Sequence, residues 1–467
     1  MTYVDSTILN VALPSIERQF RVGVADLQWV ADAYLLVLAS LLMLSGSTAD
    51  RLGRRRLFTT GLLIFTAGSL LCSLAPNISA LIVFRMAQAL GGCMLIPVSL
   101  SIVRQVYTDP AERARAFGIW SAVFGLGAAT GPILGGLLVS GVGWRSVFWI
   151  NIPIGLTVWF LARRYVPESR APKPRRIDPA GQALVVITLA TLTYGVIEGP
   201  SAGWGSGRIV TSFSVGAVAI ITLLLVERHA TEPLLELGFF RSPPFSAANA
   251  VALASFLVLS GFLFVNTLYL QDVRGDSALV AGLSLLPATA VITACSLLSG
   301  RLVARFGPRL PLSAAGLFLA AGAALLLHLV PTTPYLELAL SYVVLGLGFG
   351  LVNAPITNTA VSGMPPEQAG VASAIASTSR QIGNVLGVAV MGTLVTSTAF
   401  GKGHLDLLAA ARFTTATHKA WAVAIGCGVA CAVTAFACTG RRGFLAAGRV
   451  YQDSPKSEGT EGTRRRL

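Results

Sequence analysis

Apolar runs of about 18 to 25 residues recur along the whole chain, separated by short polar or Gly/Pro-rich breaks. No other feature constrains the fold as tightly. A run of that length matches the roughly 30 Å hydrocarbon layer of a bilayer, where every backbone amide must find its partner inside its own segment. The runs are therefore read as transmembrane helices. Composition agrees, since 54% of the 467 residues are hydrophobic and only 12% are charged, against about 25% charged in a soluble domain. The expected fold class is an all-α polytopic membrane protein.

In order, the runs predict helices near residues 1–14, 27–48, 57–75, 78–101, 114–139 and 143–162, then two near 180–198 and 209–227. Six more follow near 245–271, 278–300, 310–330, 334–356, 368–397 and 418–438. The arrangement is six, two, six. It divides the chain into an N-terminal six-helix bundle (1–165), a basic linker with two extra helices and an amphipathic connector (166–243), a C-terminal six-helix bundle (244–440) and a basic tail (441–467). Only thirteen residues precede Pro14, short of the roughly 20 that a span needs. The first helix therefore reads as truncated at its start, and an upstream leader is expected to complete it. No charged n-region of a signal peptide is present.

A net charge of +14 in a soluble protein would point to nucleic acid, but its distribution excludes that reading. If the helices alternate from a cytoplasmic N-terminus, most Lys and Arg fall in inner segments, as the positive-inside rule requires. The main groups are Arg51, Arg54, Arg55 and Arg56, then Arg163 to Arg176, then the tail after Arg441. Both termini are expected in the cytoplasm.

The two large blocks carry a trace of duplication. Gly46-x3-Asp50-Arg51-x-Gly53 returns as Gly300-x3-Ala304-Arg305-x-Gly307, each after the second helix of its block. A duplicated bundle with a binding site between its halves is the sequence mark of a transporter.

Ionisable groups inside the hydrocarbon region cost about 2.5 to 3.5 kcal/mol each on insertion scales, so each is a functional candidate. Four stand out: Asp5, Asp32, Arg85 and Arg380. Asp5 and Asp32 can exchange a proton as their surroundings change, and Arg85, too deep to snorkel, needs a buried acid as partner. A permanent Asp–Arg pair that only fixes helix packing is the other reading. Gln88 lies nearly one turn beyond Arg85 on the same face. Arg380 with Gln381, Asn353, Asn358 and Asn266 supplies polar groups for a cavity in the second block, or for interhelical hydrogen bonds.

Gly127, Gly131 and Gly135 recur every four residues on one helical face, with Pro132 removing a backbone donor beside them. This is a close-packing and bending seam. The six cysteines form no C-x-x-C pair and read as small packing residues, while the four histidines lie in or near loops without ligand spacing. No metal site or cofactor is expected.

Together these segments resemble the major facilitator superfamily, in particular its fourteen-helix drug/proton antiporters (QacA/EmrB-like). The resemblance rests on VDSTILNVALP, GSTADRLGRRR, FRMAQALGG, GLGAATGPILGG, WRSVFWINIPIG and STSRQIGNVLG, and covers essentially the whole chain. ASLLMLSG and LQDVRGDSALVAGL look most like the methylenomycin-resistance branch. The resemblance implies two six-helix domains working by alternating access, with the extra pair outside the core and a monomer sufficient. Proton-driven export of a drug-like or antibiotic-like compound in a bacterial cell membrane is then expected, with Asp5 coupling the proton and Arg85 tuning it. Gly46, Asp50, Arg51, Gly53 and Arg54 would form a gate with Gly131, Pro132 and Gly135, and Asp50 would face the helix start near Pro366 to Gly370. Ala304 departs from the pattern in the second copy. Alternatives are a facilitator for an ordinary metabolite and, from another class, a non-transporting membrane enzyme or receptor.

Overall fold

The computed structural model describes the chain apart from residues 108, 171–177, 231–235, 363–368, 400–406 and 441–467. The basic tail, Lys173, Arg175, Arg176, His404 and most of the segment expected to receive Asp50 lie outside the described residues.

Sixteen α-helices are present, and two pairs of them are single spans broken at one residue, which leaves fourteen long helical segments among the described residues. The first bundle holds α1 (Thr2–Phe20), α2 (Val24–Leu52), α3 (Arg54–Ser73), α4 (Ile78–Val106), α5 (Pro110–Gly141), and α6 (Ser146–Trp149) running into α7 (Asn151–Tyr165). The extra pair is α8 (Pro179–Ala202) and α9 (Gly207–His229). A 3-10 turn (Leu237–Arg241) leads to the second bundle: α10 (Pro243–Leu268) with a π turn (Tyr269–Val273), α11 (Ala278–Ser284) running into α12 (Leu286–Phe306), α13 (Arg309–Leu325), α14 (Tyr335–Val361), α15 (Ala369–Ala399) and α16 (Leu407–Cys438). Eleven helices among the described residues are long and apolar enough to cross a membrane. The six, two, six order stands.

Local chemistry explains the breaks. Asn77 caps α4 by accepting from Ala80 N at 2.8 Å, and Asp178 caps α8 through Gly181 N at 2.9 Å. The repeated motif closes the second helix of each bundle in the same way. Gly53 (φ +115°) ends α2 and Gly307 (φ +72°) ends α12, each in the left-handed region that a side chain resists. At Gly53 a side chain would also collide with the Glu168 carboxylate. That carboxylate accepts from Arg55 N (3.1 Å) and Arg56 N (3.2 Å) at the start of α3, where the helix dipole favours an anion.

Among the helix limits that differ from expectation, two show why. α1 does not stop near Pro14 but runs through it to Phe20, because the polar turn Glu17–Gln19 ends the apolar signal without ending the helix. Gln19 accepts from Trp144 Nε1 (2.5 Å) and Arg145 (2.9 Å), which ties that last turn to the α5–α6 connection. α16 begins at Leu407, eleven residues before the hydropathy signal, so His418 sits inside a helix and not in a loop.

The bundles meet along two seams, α2 against α15 and α5 against α11 and α12. Each seam pairs the second long segment of one bundle with the fifth of the other, as a two-fold relation between duplicated halves demands. The extra pair is less peripheral than the resemblance implies. α8 packs on both α2 and α15, through Gln182 to Ser40 O, Trp29 Nε1 to Glu198 (2.8 Å) and Thr393 Oγ1 to Val196 O (3.0 Å). It straps the seam between the halves.

Candidate functional site

Helices α1, α3, α4 and α7 converge on a buried polar network. Asp5 Oδ2 and Arg85 lie 2.6 Å apart, with the two side chains 2% and 1% exposed. Gln88 Nε2 donates to Asp5 Oδ1 (2.9 Å) and to Ser69 Oγ (2.6 Å), while Gln88 Oε1 accepts from Arg85 (2.6 Å). Asn151 Nδ2 donates to Asp5 Oδ1 (2.7 Å) and contacts Ser69 Oγ (3.1 Å). Arg85 also donates to Val30 O (3.4 Å) and lies 4.2 Å from the centre of the Tyr34 ring. Three side chains thus donate to the Asp5 carboxyl, a closed polar network suited to low dielectric. The expected Asp5–Arg85–Gln88 association is present; Asn151 and Ser69 were not foreseen, since each arrives from another helix.

Asp32 is in a different situation. It is fully buried, and neither of its oxygens has a hydrogen-bond partner. One turn before it, Gln28 bonds α15; one turn after it, Leu36 packs with Val385 of α15 and Leu189 of α8. Asp32 therefore faces the α2/α8/α15 junction. The Trp29–Glu198 and Ser40–Gln182 contacts set the register of α2 on α8 and bring Thr193 level with it. Thr193 Oγ1 is likewise buried without a partner.

Beside the Asp5 network a small cavity lies between the halves. Ser6, Asn10, Tyr34 and Arg85 line it from the first bundle, and Ser260, Gln381 and Asn384 from the second. The hydroxyl of Tyr34 has no partner. Of the cavity residues expected from sequence, Gln381 is in the wall, bonded by Asn384 Nδ2 at 3.1 Å. Asn266 is instead buried inside the second bundle, accepting from Tyr342 OH at 2.5 Å. Arg380 bonds Thr357 (3.2 Å) and Ser377 (3.1 Å), and Asn353 and Asn358 do not reach this cavity.

Asp50 pairs with Arg54 at 2.8 Å, and Arg54 reaches Gln105 of α4, so the motif ties three helix ends at the basic face. Gly46 has open space around its α-carbon. Gly131 and Gly135 pack against Thr7, Ile8 and Val11 of α1. On the neighbouring face, Gly136 meets Ala278 and Leu279 of α11, and the Pro132 carbonyl meets Gly282.

The halves are sealed at the end remote from the basic loops. Gln28 Nε2 donates to Val388 O and Ala389 O, both at 3.0 Å, and Gln271 Nε2 to Val11 O at 2.9 Å. A Cβ on Gly136 would fall 2.7 Å from Ala278 O and Leu279 Cα, so Gly136→Ala must push the backbones apart. Overpacking costs about 1 to 3 kcal/mol, and the closed state is expected to lose roughly tenfold or more in population. Maleimide labelling of a cysteine introduced at Ser260, from the remote face and with the native cysteines replaced, should rise accordingly. An unchanged rate would show that this contact does not hold the closure.

The sequence profile of the Major Facilitator Superfamily matches residues 1–388. The multidrug resistance protein Stp of Mycobacterium tuberculosis is 40% identical over 398 residues, covering 85% of this chain and 73% of that protein. The methylenomycin A resistance protein of Streptomyces coelicolor is 35% identical over 401 residues (85% and 84%). In fold, the chain is similar to the crystal structure of a bacterial homologue of the human lysosomal transporter Spinster, with a TM-score of 0.66 at 20% identity over 97% of this chain and 96% of that one. Two duplicated bundles around a shared cavity, the matching profile and these relatives agree: the chain belongs to the major facilitator superfamily, in its drug-efflux branch.

Proposed function

We propose that this protein is a proton-coupled antiporter that exports drug-like or antibiotic-like small molecules by alternating access across a bacterial cell membrane. The observation that carries the reading is a cavity between the bundles, with two buried carboxyls in opposite circumstances on the helices that line it. Asp5 is held by three donors, whereas Asp32 has none. Burying a carboxyl without a donor is costly for its charged form, so the two sites differ in how well each can hold a charge. With the basic face taken as cytoplasmic by the positive-inside rule, the sealed end is the external gate and both termini lie inside in this reading. Opening that gate separates α2 from α15 and changes what surrounds Asp32. The proton on Asp32 and the state of the gate are thereby linked. Arg85, between Asp5 and the cavity, senses both. The Gly46–Arg54 turn and the Gly131, Pro132, Gly135 seam are the moving parts. The relatives named for multidrug and methylenomycin resistance support the substrate class.

The test is uptake of labelled cationic and neutral antibiotics into inverted membrane vesicles. Accumulation that depends on an imposed pH gradient and collapses with a protonophore is expected. Accumulation indifferent to the gradient would overturn the coupling, and a panel moved no faster than in vesicles lacking the protein would overturn the substrate class.

A further inference from the structure

The outer face of the extra pair ends in a cleft that none of the transport machinery uses. On α9, Val218, Ile221 and Leu225 are exposed (62%, 59% and 52%) along one side, and Arg228 follows on the next turn of the same stripe. Across from it, the 3-10 turn brings up Arg241. Leu224, Arg228, Leu237, Gly238 and Arg241 together enclose a concavity at the basic end of the helices. Its floor is anchored on both sides. Phe239 of the turn is buried in the second bundle, 5.5 Å from the Phe245 ring and edge-on to it. The acid in that turn of α9, Glu227, lies inward beside Gly181 and Asp178 at the start of α8. His229 is bound back to Leu225 O at 2.9 Å, and Glu236 precedes the turn outside the cleft lining.

We propose that this cleft binds the phosphate of an anionic phospholipid, with an acyl chain along Val218, Ile221 and Leu225. A guanidinium presents a planar fork that matches a phosphate. Two of them at the headgroup end of a lipid-facing stripe, with no carboxylate among the described residues of the cleft lining, form the basic pocket that lipid headgroups occupy. The stripe selects a lipid over a free anion, because a soluble phosphate gains nothing from exposed Val, Ile and Leu. The site has a mechanical consequence. Arg228 belongs to the strap helices and Arg241 to the second bundle, so one phosphate held by both fastens the strap to that bundle.

Thermal unfolding of the detergent-purified full chain, titrated with phosphatidylglycerol, phosphatidylcholine or inorganic phosphate, tests the assignment. Phosphatidylglycerol is expected to raise the unfolding temperature of the parent well beyond phosphatidylcholine. In Arg228→Gln/Arg241→Gln the excess should vanish, with the apparent affinity for phosphatidylglycerol about thirty-fold weaker. Arg163→Gln/Arg164→Gln, at the same face but away from the cleft, should keep it. Retention of the full shift by the first variant, an equal loss in the second, or a shift of the same size from millimolar inorganic phosphate alone would each overturn the proposal.

Discussion

Asp32→Asn is expected to leave the protein folded and to abolish the accumulation of substrate driven by a pH gradient. The amide has nearly the volume of the carboxyl that sits in the α2/α8/α15 junction, and it cannot titrate. Both Asp32 oxygens lack a donor and Thr193 Oγ1 at the same level lacks a partner, so the amide removes no hydrogen bond. Stability should stay within about 0.5 kcal/mol of the parent. Transport should behave as if a proton were permanently bound. Substrate exchange down its own gradient continues, while net concentration against it falls to the level seen without a pH gradient. Thr193→Val provides a graded companion, because it takes away the unpartnered hydroxyl at the same level without touching the carboxyl. A shifted pH dependence with coupling intact is the expected outcome there. Asp32→Asn protein that concentrates substrate at the parental rate would remove Asp32 from the mechanism. Asp32→Asn protein that fails to fold would mean the junction houses the ionised form.

The spans were legible because lipid enforces one simple rule, a helix of sufficient apolar length, and the two clear departures mark where that rule stops. At the end of α1 and the start of α16 the helix continues through polar residues, Glu17–Gln19 and Arg412–Lys419, that no hydropathy window includes. Asp5, Arg85 and Gln88 were legible for an energetic reason, since a charge in the hydrocarbon region demands a partner. Their completion by Asn151 and Ser69 was not, because amides and hydroxyls are ordinary in membrane helices and only tertiary contact distinguishes these two. Gln28 and Gln271 were hidden for the same cause: each is a polar residue near a helix end until the opposite bundle presents a carbonyl to it. The cavity followed a similar course. The second-bundle residues singled out by polarity scattered, with Gln381 in the wall and Asn266 deep in the bundle, since polarity alone carries no information about which face of a helix the site occupies. Asp50 was read as one half of a contact between bundles whose other half lies mostly outside the described residues; among those described, Asp50 pairs with Arg54, four residues on.

Asp5→Asn should lose pH-driven export and also lose stability, and the second effect makes the first interpretable. The substitution leaves the Arg85 guanidinium, 1% exposed, without its counter-ion. Breaking one partner of a buried pair costs about 3 to 5 kcal/mol. Gln88 Oε1 at 2.6 Å and the Tyr34 ring at 4.2 Å remain, and a desolvated cation–π contact is worth about 2 kcal/mol, so the low end of that range is expected. Arg85→Gln alone strands the carboxylate instead, with Gln88 and Asn151 still donating to it. The double variant Asp5→Asn/Arg85→Gln carries no buried charge, and its amides can close the network with Ser69. Its unfolding free energy should return to within about 1 kcal/mol of the parent, a coupling between the two sites of several kcal/mol in a double-mutant cycle. Its transport should not return, because a network without a carboxylate or a cation has nothing to exchange with the cavity that Arg85 lines. Unfolding measured in detergent and uptake into inverted vesicles separate the two roles. If the double variant regains pH-driven uptake along with its stability, the pair only fixes packing, and Asp32 carries the coupling alone. If Asp5→Asn by itself is as stable as the parent, the ion pair is not what holds α1 to α4.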